Sequence, residues 1–165
     1  MVIDTLREQL GRIEALSREI SAIEHRLATW RREDEAARRL MAIPGVGPLS
    51  ATAAIATIGD AHTFRSGREF AAFLGLVPRQ SGTGGRIRLL GISKRGDVYL
   101  RTLLIHGARA VLAHHKPLAE PLQRLLARRP FNVVVVALAN KMARTIWALL
   151  AHGRTYQTGY AGHPA

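Results

Sequence analysis

No cysteine occurs in the 165-residue chain, which excludes disulfides and thiolate-held metals and fits a reducing, cytoplasmic setting. Acid is scarce too: 12 Asp and Glu stand against 24 Lys and Arg. Beyond Glu35 the only carboxylates are Asp60, Glu69, Asp97 and Glu120. Glu69 and Asp97 sit where they cap helices, so no two-metal carboxylate centre is expected from this chain alone. The seven histidines include neighbours His114 and His115, but adjacent helical residues point to different faces, so no histidine metal site is expected and His106 is read as a helix-face residue. A complete phosphate-binding loop is also missing, because Ile92 and Ser93 separate Gly91 from Lys94 where G-x-x-x-x-G-K-[ST] requires them adjacent. Long apolar runs are lacking. The opening twenty residues carry charges every few positions, unlike a signal peptide, and FNVVVVALANKMARTIWALLA at 131–151 is broken by Asn140, Lys141 and Arg144, which reads as a core helix rather than a membrane span.

What is present is positive charge. A formal +12 with pI near 11.5 exceeds what solubility asks for and points to a polyanion, duplex DNA first, with no membrane partner. The length suits one domain with a helical appendage. Apolar residues at Leu6, Leu10, Ile13, Leu16, Ile20, Ile23, Leu27 and Trp30 fall three or four apart, a seam that predicts a long helix pairing with another helix, as a homo-oligomer, or packing on its own domain. Asp34 with Arg38 and Glu35 with Arg39 extend that pattern as acid-before-base pairs, so the first segment is drawn as a coiled-coil helix over 1–38. A helical domain follows over 39–152, and a loose tail over 153–165.

The domain opens with MAIPGVGPLSATAAIATIG at 41–59. Pro44 stops one helix, Gly45 and Gly47 permit backbone angles that side chains forbid, and Pro48 suits the first turn of the next. G-V-G-x-x-x-A, ending at Ala51, matches the helix-hairpin-helix pattern. Val46 between the glycines anchors the turn, and bare N–H groups at the helix start can face a DNA phosphate. The alternative is a tight corner without a ligand. Ser66 and Glu69 form a capping box for a helix ended by Gly75, with Phe70, Phe73 and Leu74 in the core. Residues 78–97 are rich in glycine and carry Arg79, Arg86, Arg88, Lys94 and Arg95. They read as a flexible basic loop, with RIRLL as a short possible strand.

Asp97 caps the next helix, whose apolar face runs Leu100, Leu103, Leu104, Ala108, Val111, Leu112, leaving Arg101 and Arg109 off it. Helices at 118–129 and 132–151, the latter capped by Asn132, complete a mainly α fold. Within the basic loop, Ser81 and Thr83 lie among glycines and arginines. Either hydroxyl is a candidate nucleophile on phosphorus, with the arginines stabilising the charged transition state; the alternative is that both simply populate a turn.

These segments together resemble the C-terminal domain of bacterial insertion-sequence transposases of the family numbered one hundred and ten, the bridge-RNA-guided recombinases. The resemblance runs from IPGVGP through SGTGGRIRLLGISKRGD to ARAVL, about Leu40 to Leu112, and ALANKMARTIWALLAHG resembles the family's terminal helix. It implies a preceding coiled coil that mediates assembly, a separate RuvC-like domain whose acidic tetrad binds Mg²⁺, a guide RNA, and a serine that forms a covalent phosphoserine with DNA. The family's serine stands before glycine, which ranks Ser81 first. Counting back from GISKRGD puts Thr83 in the same register. The DNA-binding set is Gly45, Val46, Gly47, Arg79, Arg86, Arg88, Lys94, Arg95 and Arg101. No acidic domain is recognisable here, so the chain alone is expected either to need one supplied or to serve as a non-catalytic DNA-binding remnant in a bacterial, nucleoid-associated setting.

Overall fold

The computed structural model describes residues 1–83, 86–114 and 117–157. Helix α1 spans Val2–Glu33, about 48 Å at 1.5 Å per residue. It stops at Glu33, five residues short of the expected end at 38. Asp34 is extended (φ −85°, ψ 115°) and its Oδ1 accepts from the Ala37 N–H at 2.8 Å, starting a new helix, α2, at Glu35–Met41. A carboxylate that can cap does so in preference to pairing with Arg38 across an unbroken helix. Glu35 does approach Arg39, at 3.5 Å.

Helix α3 (Pro48–Ile58) follows the glycine turn, and a short 3₁₀ turn (Ala61–Thr63) leads to α4 (Gly67–Phe73). The capping box forms: Ser66 Oγ accepts from the Glu69 N–H at 3.3 Å and Glu69 Oε2 from the Arg65 N–H at 2.7 Å. Residues 78–97 are not the expected flexible loop. Strands β1 (Pro78–Thr83) and β2 (Arg86–Ile92) make an antiparallel hairpin with an irregularity between Pro78 and Gln80. Then come α5 (Val98–His114), α6 (Glu120–Leu126) and α7 (Phe131–His152). Residues 84–85, His115, residue 116 and the tail from 158 lie outside the described residues.

α5 and α7 form the centre, with α4 against α7, α3 against α5, and α2 against α3 and α7. Leu40, Ala54, Phe70, Leu74, Leu76, Leu100, Leu104, Val134 and Ile146 are fully or almost fully buried. α7 is long and apolar enough to cross a membrane by length and composition. Its buried stripe Val134, Val135, Ala139, Met142, Ala143, Ile146, Leu149 has helical period and faces this core, while Lys141 and Arg144 stay exposed; that is a core helix. Phe73 is not a core residue as expected: it is 43% exposed, edging against Phe64 at 5.3 Å. α7 is capped by Pro130 rather than Asn132, whose Oδ1 instead accepts from Arg109.

α1 divides in two. Leu27, Ala28 and Trp30, near the end that meets α2 and α3, are half-buried. Leu6, Leu10, Ile13 and Ile20 are 56–60% exposed, so the seam is not covered by its own domain.

Candidate nucleic-acid interface

Two features hold the residues singled out by sequence. In the first, the turn between α2 and α3, Val46 is 5% exposed and its N–H donates to the Ile43 carbonyl at 3.0 Å. Gly45 has φ +85°, and a Cβ there would lie 2.7 Å from the Gly107 carbonyl oxygen and 2.8 Å from Val111 Cγ2. Its smallness is demanded by α5, whose own Gly107 opposes it. Gly47 differs: it is the N-cap of α3 with φ −87°, and a Cβ would meet nothing within 4 Å. Pro48 at the first helical position has no N–H, and Ala51 N–H bonds the Gly47 carbonyl at 2.9 Å. The Leu49 and Ser50 N–H groups, like those of any first turn, have no acceptor within the helix. Gly47→Ala is therefore expected to change stability by no more than about 1 kcal/mol, yet to weaken duplex binding by crowding an approaching phosphate. Anisotropy titration beside thermal melting measures both, and unchanged affinity would remove the turn from the interface.

The second feature is the hairpin. Ser81 pairs with Arg88, Thr83 with Arg86, and Gln80 with Leu89. Opposed residues share a face and alternate residues return to it, so Ser81, Arg88 and Arg86 stand on one side of the ribbon. Arg79, Ser81, Arg86 and Arg88 are all exposed. The strands pair with each other far more than with any helix, which leaves both faces open. The Thr83 side chain lies outside the described residues.

A two-stranded ribbon is marginal by itself, and its stability comes from its base. Ser93 N–H donates to Val77 O at 2.8 Å and Lys94 N–H to Gly75 O at 3.1 Å. Gly75 (φ +68°) packs on the Arg95 backbone and Gly96 (φ +77°) on the Phe73 carbonyl, each so close that a Cβ would overlap it. Lys94, exposed beside them, takes φ +56°, uncommon for a side-chain-bearing residue. Asp97 caps α5 through the Leu100 N–H at 2.9 Å and accepts from Thr57 Oγ1 at 3.1 Å, tying α3 to α5.

Arg101 does not belong with the DNA-facing arginines. It is 7% exposed, and its Nη1 donates to the carbonyls of Leu74 and Arg95, both at 3.0 Å. Asn140 Nδ2 bonds the neighbouring Leu76 carbonyl at 3.1 Å. These two side chains were missed as structural clamps. The signal for Arg101 was available: residues 97, 101, 104 and 108 share one helical stripe, which places it inside. Lys94 and Arg95 remain exposed at the hairpin base. Among the described residues, no group of three or more His, Cys, Asp or Glu could hold a metal ion.

The sequence profile described as "Transposase IS116/IS110/IS902 family" matches residues 37–123, a span that holds the glycine turn, the hairpin and its base. The chain belongs to this transposase family. It is 53% identical over 160 residues to a probable family 20 transposase of Pseudomonas aeruginosa, covering 94% of this chain and 47% of that protein. Against the transposase for insertion sequence element IS1111A of Coxiella burnetii it is 48% identical over 156 residues, 92% of this chain and 42% of the relative. With the transposase for IS1328 of Yersinia enterocolitica the identity is 42% over 145 residues, 86% and 43%. The chain thus spans less than half the length of these transposases, and the matched span includes the hairpin on which exposed Ser81 stands opposite Arg88.

Proposed function

We propose that this chain is the DNA-contacting, nucleophile-bearing C-terminal part of a transposase, acting in DNA transposition through a covalent serine–phosphate intermediate. The observation that carries the reading is the exposed ribbon on which Ser81 stands opposite Arg88, with Arg86 on the same face. Ser81 Oγ attacks a backbone phosphorus: the Oγ–P bond forms, one strand oxygen departs and takes up a proton, and the phosphodiester energy is kept in the phosphoserine for rejoining. The guanidiniums hold the charge that builds on the phosphoryl oxygens. The hairpin offers no base for the Ser81 proton. Among the described residues no carboxylate cluster fits a divalent ion either, so Mg²⁺ and the groups that would hold it are assigned to a separate RuvC-like acidic domain.

The reading is tested with a short duplex. Affinity falls with salt by about 0.9 log unit per log unit for each phosphate neutralised. Adding a separately produced acidic domain and Mg²⁺ then yields a protein–DNA adduct that survives denaturing electrophoresis. A salt-independent affinity would sink the whole proposal. The second reading is a DNA-binding remnant that modulates a full-length transposase. It gives the same salt response and no adduct.

Assembly belongs to the same proposal. The exposed seam Leu6–Ile23 pairs with α1 of a second copy, since burying a Leu or Ile side chain contributes about 1.5–3 kcal/mol. Replacing Leu10, Ile13 and Ile20 by Asp is expected to convert an oligomer to a monomer in sedimentation equilibrium while the 39–152 body keeps its fold. A wild-type monomer at high concentration would refute it. A bacterial cytoplasmic, nucleoid-associated setting and a guide RNA complete the proposal.

A further inference from the structure

Core packing explains only one face of α6, where Leu122, Leu125 and Leu126 lie half-buried against the core. None of its residues is fully buried, yet Arg124 on it and Arg128 and Arg129 just beyond it line, with Pro121 and Leu125, a groove of about 470 Å³. Arg124 meets Glu120 at 2.7 Å, and Arg128 Nε donates to the Arg124 carbonyl at 3.3 Å. Like charges four apart oppose helix formation, and one carboxylate does not balance three guanidiniums. A further guanidinium, outside the groove lining, is tied to the chain three residues past Arg129: Arg109 of α5 donates through Nη2 to Asn132 Oδ1 at 3.0 Å. Such a concentration is stabilised by an external polyanion.

The place of this corner separates it from the interface already described. Gly107 faces the glycine turn, and at 100° per residue Arg109 points about 200° away from it on the same helix. The hairpin base joins the other end of α5, about 18 Å from Arg109 along the axis. A phosphate at the glycine turn or on the hairpin cannot also sit among these arginines. No aromatic side chain lines the groove, so it lacks the stacking platform that single strands use. Outward-facing phosphates of a duplex are what it can hold.

We propose that the Arg109–Arg124–Arg128–Arg129 corner is a second backbone-phosphate site for duplex DNA, on the side of α5 opposite the glycine turn. This rests on the reading of the chain as a DNA-contacting transposase part. The test compares the full wild-type chain with a variant carrying Arg124→Gln, Arg128→Gln and Arg129→Gln, and with the corresponding triple Lys variant. Each is titrated with a short labelled duplex across a salt series.

The Gln variant is expected to lose about 2 to 3 units of the log–log salt slope, while the Lys variant keeps the wild-type slope. Melting of all three at one temperature shows that the folds are equal. An unaltered slope in the Gln variant overturns the site and leaves the hairpin reading standing. Failure of the wild-type chain to bind duplex at all overturns both. An effect seen only when single-stranded RNA replaces the duplex also overturns the assignment to duplex DNA.

Discussion

Ser81→Ala is expected to abolish covalent capture of DNA and leave duplex affinity almost unchanged. The hydroxyl is one exposed oxygen on a ribbon whose binding charge comes from Arg79, Arg86 and Arg88, so its removal takes away the nucleophile and little contact. Deleting a nucleophile that acts as part of a unit lowers rate by about 10³-fold or more, which on a denaturing gel is complete loss of the adduct. Arg88→Ala should behave differently. It stands opposite Ser81 in the register and contributes both to binding and to the charge on the transferring phosphoryl group. It should therefore reduce adduct formation by about 10²–10³-fold and lower the salt slope as well. Thr83→Ala is the control for the competing register. Adducts that persist in Ser81→Ala and vanish in Thr83→Ala would move the chemistry two positions along the strand, to the residue paired with Arg86. Adducts in both would remove the hairpin from the chemistry.

The reasons these residues could be singled out, and the reasons others could not, are physical. Asp97 and the Ser66–Glu69 pair act through bonds to residues four or fewer positions away and Pro48 through its own ring, so their roles as helix starters are written locally. Val46, flanked by glycines in an otherwise helical stretch, could be read as an anchor on the same ground. The hairpin could not. PRQSGT contains no apolar residue to alternate, and only Arg86-Ile87-Arg88-Leu89 carries a period of two, so the pairing depends on the base contacts with Gly75 and Val77 rather than on strand pattern.

Gly45 shows the limit most plainly. The turn explains a glycine there, but the close fit is to Gly107, sixty-two positions on, and no local rule announces it. Arg101 was misplaced because charge was weighed above periodicity. Its stripe position made it a buried residue, and two carbonyls at the hairpin base satisfy it. Asp34 illustrates competition between two local rules, a helical ion pair against an N-cap, and the cap prevails because it satisfies a backbone donor that would otherwise lack a partner.

The hairpin base is where a single methyl group should do most damage. Gly96 has φ +77°, and a Cβ there would overlap the Phe73 carbonyl oxygen, an atom of the backbone rather than the end of a flexible side chain. Gly96→Ala therefore meets two costs at once. An L-residue in the left-handed region costs about 1–2 kcal/mol, and the junction must open to relieve the overlap, straining the bonds from Arg101 to Leu74 and Arg95. Losing buried hydrogen bonds to a charged group adds about 1.5–3 kcal/mol. A total near 3–5 kcal/mol is a large part of a domain's stability and should lower the melting temperature by roughly 10 °C or more.

The consequence for function follows from position. The same junction fixes the direction in which Ser81 and Arg88 leave the body, so adduct formation should fall even at temperatures where the helices remain folded, as monitored by far-UV circular dichroism. Gly91, where a Cβ would meet nothing within 4 Å, is the matched comparison. Its Ala variant should melt within about 1 kcal/mol of wild type. Equal melting of the Gly96 and Gly91 variants would mean that the junction is soft, and that the ribbon is aimed by the DNA it binds rather than by the core beneath it.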